Sequence, residues 1–514
     1  MSESYSEILA KADQAVAQTA ATLGDDPQRP AYHLFTAANW INDPNGPVYY
    51  NGYWHMFFQH NPYIADFGPM GWGHVRSPDL VHWEHCPIAI MPGPDSYDAA
   101  GCWSGSVVIH DGLPTMIYSG VADMTLWSAD DDLPPSDRQR IPQGYYHEFV
   151  LEIDQETQCV ATSRDNLQTW HKHPANPVIP AIPPGLDLIG FRDPFLWKED
   201  DGRWYMLLGS GIKGQGGVAL LYRSPDMINW EYLNPLYIGD PAESGINWEC
   251  PNFLDLGAKH MLVVSPHGRP VYWLGDYANH RYRPDGPPRR LDWGDVFYAP
   301  NSLFDPRSDR WLMWGWIREA RPRDQYAAAG WASCLTLPRE ISLDDSGNLN
   351  VKPAEEMKQL RNGMLVDEFL DLGADERKVL DVAGDRLEIG LNVNHHDCRQ
   401  FGIQFRHSPD GKQFTELSYN YDANTLRLDR EHSSSTAEVT RDPCECELAL
   451  ERGDTLRLTI YLDNSVVEVY ANDRISMTSR IYPDLAQSQG IRLFTLGGSA
   501  SVGTTVWRMG SIWD

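Results

Sequence analysis

A chain of 514 residues with 42% hydrophobic content is long enough to bury a large core and to form more than one domain. Its formal charge of −29 excludes nucleic acid, polyphosphates and anionic membrane surfaces as principal partners, since each is repelled at long range, and points to a neutral ligand. Nineteen tryptophans and 24 tyrosines beside abundant carboxylates suit sugars, whose apolar faces stack on rings while their hydroxyls bond to acids and amides; aromatics also fill the strands of any β-rich protein.

Residues 1–30 read as a polar, helical lead-in ending near Asp25-Asp26-Pro27. They lack the basic n-region and apolar h-region of a signal peptide, and no apolar run is long enough to span a bilayer, so the expectation is a cytoplasmic enzyme, with a trimmed secreted form as the alternative. The eight cysteines form no CxxC pair and have no histidines at zinc-site spacing, which predicts free thiols, mostly buried, and no metal.

From residue 31 to about 350 the pattern changes to short apolar runs separated by Gly, Pro, Asp and Asn, the signature of many short antiparallel strands. Five of these runs resemble one another, beginning at Trp54, Thr115, Trp204, His260 and Trp311. Each follows a polar motif by about a dozen residues: Asn42-Asp43-Pro44-Asn45, Trp103-Ser104-Gly105-Ser106, Arg192-Asp193-Pro194, Glu249-Cys250-Pro251-Asn252 and Tyr298-Ala299-Pro300-Asn301. A second echo, a Ser-x-Asp turn ending in Trp, recurs at residues 77–83, 163–170 and 224–230. Imperfect repeats of several strands each predict an all-β fold with a five-bladed β-propeller, whose first strands bring the polar motifs to one axis. Within blade II, residues 121–144 form an acidic, Pro-containing stretch that either narrows a pocket mouth or is a solvated loop.

Residues 351–364 read as a linker, helix-like from Pro353 to Leu360. From 365 to 514 the strands are longer and alternate, as in Leu456–Leu462 and Val466–Tyr470, which predicts a β-sandwich with one wet face per sheet and no catalytic group. The histidine-rich spots His171-Lys172-His173 and His395-His396 read as surface.

The first polar motif, Trp40-Ile41-Asn42-Asp43-Pro44-Asn45-Gly46, places an aspartate where proline fixes φ and glycine takes a positive one, which reads as a carboxylate aimed from a strand end, or as a plain surface turn. Arg192-Asp193 reads either as a functional acid or as an ion pair pinning a blade, and Glu249 as a functional acid or a satisfied polar residue at a strand end.

Six motifs in order give the chain a close resemblance to glycoside hydrolase family 32, the β-fructofuranosidases: Trp-Ile-Asn-Asp-Pro-Asn-Gly (40–46), Phe-Phe-Gln-His-Asn-Pro (57–62), Gly-Trp-Gly-His (71–74), Cys-Trp-Ser-Gly-Ser (102–106), Phe-Arg-Asp-Pro (191–194) and Trp-Glu-Cys-Pro (248–251). The resemblance implies a propeller followed by a sandwich and a retaining mechanism in which Asp43 is the nucleophile, Glu249 the acid/base and Asp193 the carboxylate that holds furanose hydroxyls and the transition state. Arg192 is expected to keep its neighbour ionised, while Trp248 and Cys250 raise the pKa of Glu249 by desolvation. Asn42, Gln59, Trp72, Trp103, Ser104 and Trp316 fall where the family lines its sugar pocket; for Trp316 an ordinary core position is an equal alternative. Two carboxylates suffice for glycosyl transfer, so no cofactor or metal is implied. The expected activity is hydrolysis of sucrose and short fructo-oligosaccharides, with a phosphorylated sucrose left open as substrate, fructosyl transfer or fructan hydrolysis as the alternative and a silent fructan-binding protein as a third reading.

Overall fold

The structure, a computed structural model, describes residues 4–123, 156–266, 268–436, 438–451 and 453–513. The acidic stretch at 121–144 lies, from residue 124 on, outside the described residues. A helix over Tyr5–Ala20 opens the chain, with Ser4 and Glu7 forming a capping box, and packs Ala12 with Ile8, Leu9 and Val16 against Ile88 and Met91. No helix among the described residues is long and apolar enough to cross a membrane.

Five antiparallel sheets follow, numbered here as blades I to V. Their inner strands are Asn39–Tyr50, Gly101–His110, Leu188–Lys198, Trp248–Asp255 and Phe297–Asp305. The five repeated apolar runs are the second strands, Tyr53–Asn61, Leu113–Val121, Trp204–Ile212, His260–Pro266 and Arg310–Ile317. Each is covered on both faces by neighbouring blades, which is why it reads as a continuous apolar run; in Trp204–Ile212 every residue is buried. Each inner strand packs against those of the blades before and after it, and that of blade V against that of blade I, so the five close into a ring. Trp331–Ala332 completes the closure by pairing in parallel with Asn39 and Trp40, while Cys334–Leu335 pairs with the second strand of blade V.

The Ser-x-Asp echo is the turn between third and fourth strands in blades I to III. In blades I and III, Asp79 and Asp226 each accept two backbone N–H bonds within the turn, and Leu80, Leu167 and Met227 all bury side chains there from positive φ.

Blade V ends with Leu349–Pro353, a 3₁₀ turn spans Glu355–Leu360, and the first strand of the second domain starts at Arg361. That domain is two six-stranded antiparallel sheets enclosing one core that includes Ile389, Phe401, Ile403, Leu458 and Ile460. Alternation alone places Glu468 on a wet face, but the propeller covers that face. Arg339 of blade V donates to Glu468 Oε2 and to Asp292 Oδ2, both at 2.8 Å. His33 bridges Glu468 Oε1 at 3.1 Å and Asp463 Oδ2 at 2.9 Å. Burial pushes the Glu468 carboxyl up, yet Arg339 and His33 outweigh it and bring the group to about 2.

The surface reading of His171-Lys172-His173 fails at its centre, because the Lys172 ammonium is drawn inward to the buried Asp98 at 2.5 Å. His395 stacks on Tyr421 with ring centroids 4.2 Å apart. All eight cysteines are free; seven are buried and Cys86 is half-buried.

Candidate active site

Every inner strand carries the same irregularity at the same height. Residues 42–43, 103–104, 193–194, 250–251 and 299–300 each oppose a single residue of the second strand, so each pair is a β-bulge. Four of the five bulges are followed or completed by proline (Pro44, Pro194, Pro251, Pro300), which has no N–H to offer the ladder. Asp193, Cys250 and Ala299 take positive φ values of 61°, 46° and 44°, and strain at non-glycine residues in this region costs roughly 1–3 kcal/mol each. Asp43 therefore sits in mid-strand rather than at the strand end that the Pro-Asn-Gly sequence suggests: Pro44 breaks the ladder locally and the strand continues to Tyr50.

By position in the repeated motif, Asn42, Trp103, Arg192, Glu249 and Tyr298 form one set and Asp43, Ser104, Asp193, Cys250 and Ala299 the other; the bulge takes in both in blades I and II and begins with the second set in blades III to V. Their side chains interlock across blades. Ser104 Oγ donates to Asp43 Oδ2 at 2.6 Å and Asn42 Nδ2 to Asp43 Oδ1 at 2.9 Å. Trp40 Nε1 holds the Asn42 carbonyl at 2.8 Å, so the amide presents its N–H side to Asp43. The Cys250 backbone N–H donates to Asp193 Oδ2 at 2.9 Å, and the Cys250 thiol lies 3.5 Å from Asp43 Oδ2 and 3.6 Å from Asp193 Oδ2. On Glu249, Oε1 accepts from Arg192 Nη2 at 2.7 Å and Oε2 from the Tyr298 hydroxyl at 2.6 Å.

Three carboxylates in one desolvated basin cannot all keep ordinary acidity. Burial raises Asp43 to about 6, with Glu249 adding to the rise, against the hydrogen bonds of Ser104 and Asn42. Burial likewise raises Asp193 to about 7, with Glu249 and Asp43 adding to it and Arg192 opposing. Arg192 is thus outweighed at Asp193 and does not hold it fully ionised. Both folded values exceed the ordinary 3.8, so between about pH 4 and 7 the folded protein binds more protons than the unfolded chain, and this contribution to stability is lost as pH rises. Asp193→Asn is accordingly expected to melt above wild type at pH 7 and to converge with it near pH 4. Calorimetric Tm values across that range check this, and a gap that does not vary with pH contradicts it.

Of the remaining predicted pocket residues, Trp103 is half-buried beside the Arg192 guanidinium, whose carbon lies 5.8 Å from its ring centroid. Trp316 is buried edge-on to Trp40, with centroids 5.9 Å apart, and edge-on to Tyr298 at 6.3 Å. Gln59 and Trp72 act one layer back: Gln59 Nε2 donates to the Cys102 carbonyl at 3.0 Å and Trp72 Nε1 to the Trp103 carbonyl at 3.1 Å, which fixes the blade II bulge. Trp248 does not desolvate Glu249. Its ring turns into the core between blades III and IV, and its Nε1 donates to the Ser244 carbonyl at 2.8 Å. Sequence reasoning missed Tyr298, although a signal existed, since Tyr298-Ala299-Pro300-Asn301 aligns with Glu249-Cys250-Pro251-Asn252 and puts Tyr298 at the repeat position of the acid. Tyr326, on the short helix Arg323–Ala329, packs on Trp40, and Arg323 pairs with Asp66 across the gap between blades V and I.

Comparison with known proteins gives a consistent picture. The description "Glycosyl hydrolases family 32 N-terminal domain" matches residues 33–353, and "Glycosyl hydrolases family 32 C terminal" matches residues 356–508. A sucrose-6-phosphate hydrolase of Zymomonas mobilis is 31% identical, covering 97% of this chain and 95% of its own. Among solved structures, a Bombyx mori GH32 β-fructofuranosidase in complex with sucrose superposes with a TM-score of 0.78 at 26% identity, over 99% of both chains. Fructan 1-exohydrolase IIa from Cichorium intybus superposes with a TM-score of 0.82 at 25% identity, over 95% of this chain and 98% of its own.

Proposed function

The chain belongs to glycoside hydrolase family 32 and is a β-fructofuranosidase, and from there we propose that it hydrolyses sucrose and short fructo-oligosaccharides with retention, through a fructosyl ester on Asp43. The observation that carries the assignment of roles is the different treatment of the carboxylates by their neighbours. Asp43 accepts hydrogen bonds from Ser104 and Asn42, which favour its ionised form and aim its oxygens, as a nucleophile requires. Glu249 lies between Arg192 and Tyr298 and remains partly open to solvent, which suits a group that gives a proton to the leaving oxygen and then takes one from water. Asp193 has its backbone N–H anchored by Ser119 and its carboxylate by Cys250, and is placed to bind furanose hydroxyls and the positive charge of the oxocarbenium-like transition state.

A neutral substrate is supported by how the arginines around the basin are engaged. Arg192 is paired with Glu156 and Glu249, Arg321 with Glu319 and Asp26, and Arg323 with Asp66. Capturing a phosphate with any of these three means breaking an existing ion pair, and Arg318 Nη2 already donates to the Gly268 and Asp295 carbonyls. The decisive assay measures release of reducing sugar from sucrose, sucrose 6-phosphate, inulin and levan; the highest kcat/KM on sucrose is expected, and preference for the phosphate ester or a polymer overturns the substrate assignment. For retention, methanolysis of sucrose is expected to give methyl β-fructofuranoside as the first product seen by NMR, and the α anomer rules the ester mechanism out.

A further inference from the structure

Arg192 is a forked cation with one branch on Glu249. Its other branch, Nη1, donates at 2.8 Å to Oε1 of Glu156, a fully buried residue that begins the third strand of blade II, Glu156–Thr162. The second oxygen of Glu156 accepts the backbone N–H of Phe191. Two residues on, Gln158 donates to the Phe191 carbonyl at 2.7 Å and accepts at 2.9 Å from the Ser119 hydroxyl, whose oxygen receives the Asp193 N–H at 2.9 Å. Three side chains from the second and third strands of blade II thus grip the N–H and carbonyl of Phe191 and the N–H of Asp193 on blade III, on either side of Arg192. Only one of the three, Glu156, is an acid, and it faces the guanidinium rather than the pocket.

We propose that Glu156 is a positioning residue that shares the Arg192 charge with Glu249 and so keeps Glu249 protonated to higher pH, extending the alkaline side of the activity profile. The proposal rests on Glu249 being the acid/base. The groups facing Glu249 are Arg192 and Asp193 of blade III, Asp43 of blade I, Tyr298 of blade V with the Arg318 guanidinium over its ring, and Cys250 of its own strand. Among them, Arg192 and Arg318 are the cations; Arg192 Nη2 donates to the Glu249 carboxylate at 2.7 Å, and Arg318 Nη2 donates to the Gly268 and Asp295 carbonyls. An undivided guanidinium favours the carboxylate and withdraws the proton that the leaving group needs. With Glu156 on the opposite branch, the charge is divided between two carboxylates, Glu156 holding Nη1 at 2.8 Å and Glu249 holding Nη2 at 2.7 Å. Its removal acts on Glu249 in one direction by two routes: a nearby negative charge is lost, and the guanidinium is released to the acid.

The test is the pH profile of kcat/KM on sucrose for wild type, Glu156→Gln and Glu156→Asp, with folding checked by thermal melting. In Glu156→Gln the basic limb is expected to move down by about one pH unit, an extra loss of roughly tenfold above the wild-type limb, while the acid limb moves less. Glu156→Asp keeps the charge, and its basic limb is expected to stay near that of wild type. A role in holding the Phe191 backbone alone lowers activity at all pH values and moves neither limb. An unmoved limb in folded Glu156→Gln, or an equal displacement in the Gln and Asp variants, overturns the proposal. If Glu156→Gln does not fold, Glu156→Asp decides, and a basic limb displaced by a full unit in that variant overturns it. Failure of the underlying assignment is separately visible, because Glu249→Gln then retains the wild-type basic limb.

Discussion

Replacement of Asp43 by asparagine is expected to lower kcat on sucrose by at least about a thousandfold without loss of the fold. The amide has the shape of the carboxylate and can still accept from Ser104 Oγ, now 2.6 Å from Oδ2, while its NH2 meets the Asn42 amide donor, now 2.9 Å from Oδ1, so the change is confined to one hydrogen bond. What disappears is the anionic oxygen that attacks the anomeric carbon and forms a neutral ester, and no group nearby can replace it. Asp193 is pinned by the Cys250 N–H, and Glu249 is committed to the leaving oxygen. Stability is expected to hold or rise at neutral pH, because the substitution removes a carboxylate that burial has already raised to about 6. Circular dichroism, Tm and single-turnover rates check this; a folded variant that keeps a tenth of the activity sinks the nucleophile assignment.

The blade count was legible because covered strands leave continuous apolar runs at a repeating interval, and the sandwich because alternation marks a sheet with one open face. The three acids were legible through their motifs. The bulges were not, although the fourfold recurrence of proline at one repeat position is their local trace. They explain why Asp43 acts from mid-strand and why Tyr298 belongs to the site. Pairings between blades were invisible, since Glu156 meets Arg192 only once the ring has closed, and no local period in the sequence reports such a contact. A similar reason applies to Glu468 with Arg339 of the other domain, and to Lys172 with Asp98 of the turn before the inner strand of its own blade, where a charged residue that reads as surface is drawn inward by a partner distant in sequence. Trp248 misled for a different reason: in a strand successive side chains point to opposite faces, so a neighbour of Glu249 in sequence is directed away from it in space.

Glu249→Gln is expected to lower kcat on sucrose by a similar factor, at least about a thousandfold, but to respond differently to the leaving group. The glucose unit of sucrose departs as an alkoxide unless a proton arrives with bond cleavage, so removing the proton donor leaves fructosylation as the slow step. An aryl β-fructofuranoside departs as a stabilised phenolate and needs little help. On such a substrate the Gln variant is expected to form the ester on Asp43 at a rate near that of wild type, with slow turnover afterwards because the same residue must activate the incoming water. The visible result is a burst of phenolate, one per active site, followed by a low steady rate. Azide, which needs no general base, is expected to accelerate that steady phase, whereas Asp43→Asn gives neither a burst nor rescue. The geometry makes the contrast sharp: glutamine can still accept from Arg192, 2.7 Å from Oε1, and its NH2 can donate to the Tyr298 hydroxyl oxygen, 2.6 Å from Oε2, so the lost element is the exchangeable proton and not the shape of the pocket. Equal rescue of both variants, or a Gln variant without a burst, contradicts the division of labour between Asp43 and Glu249.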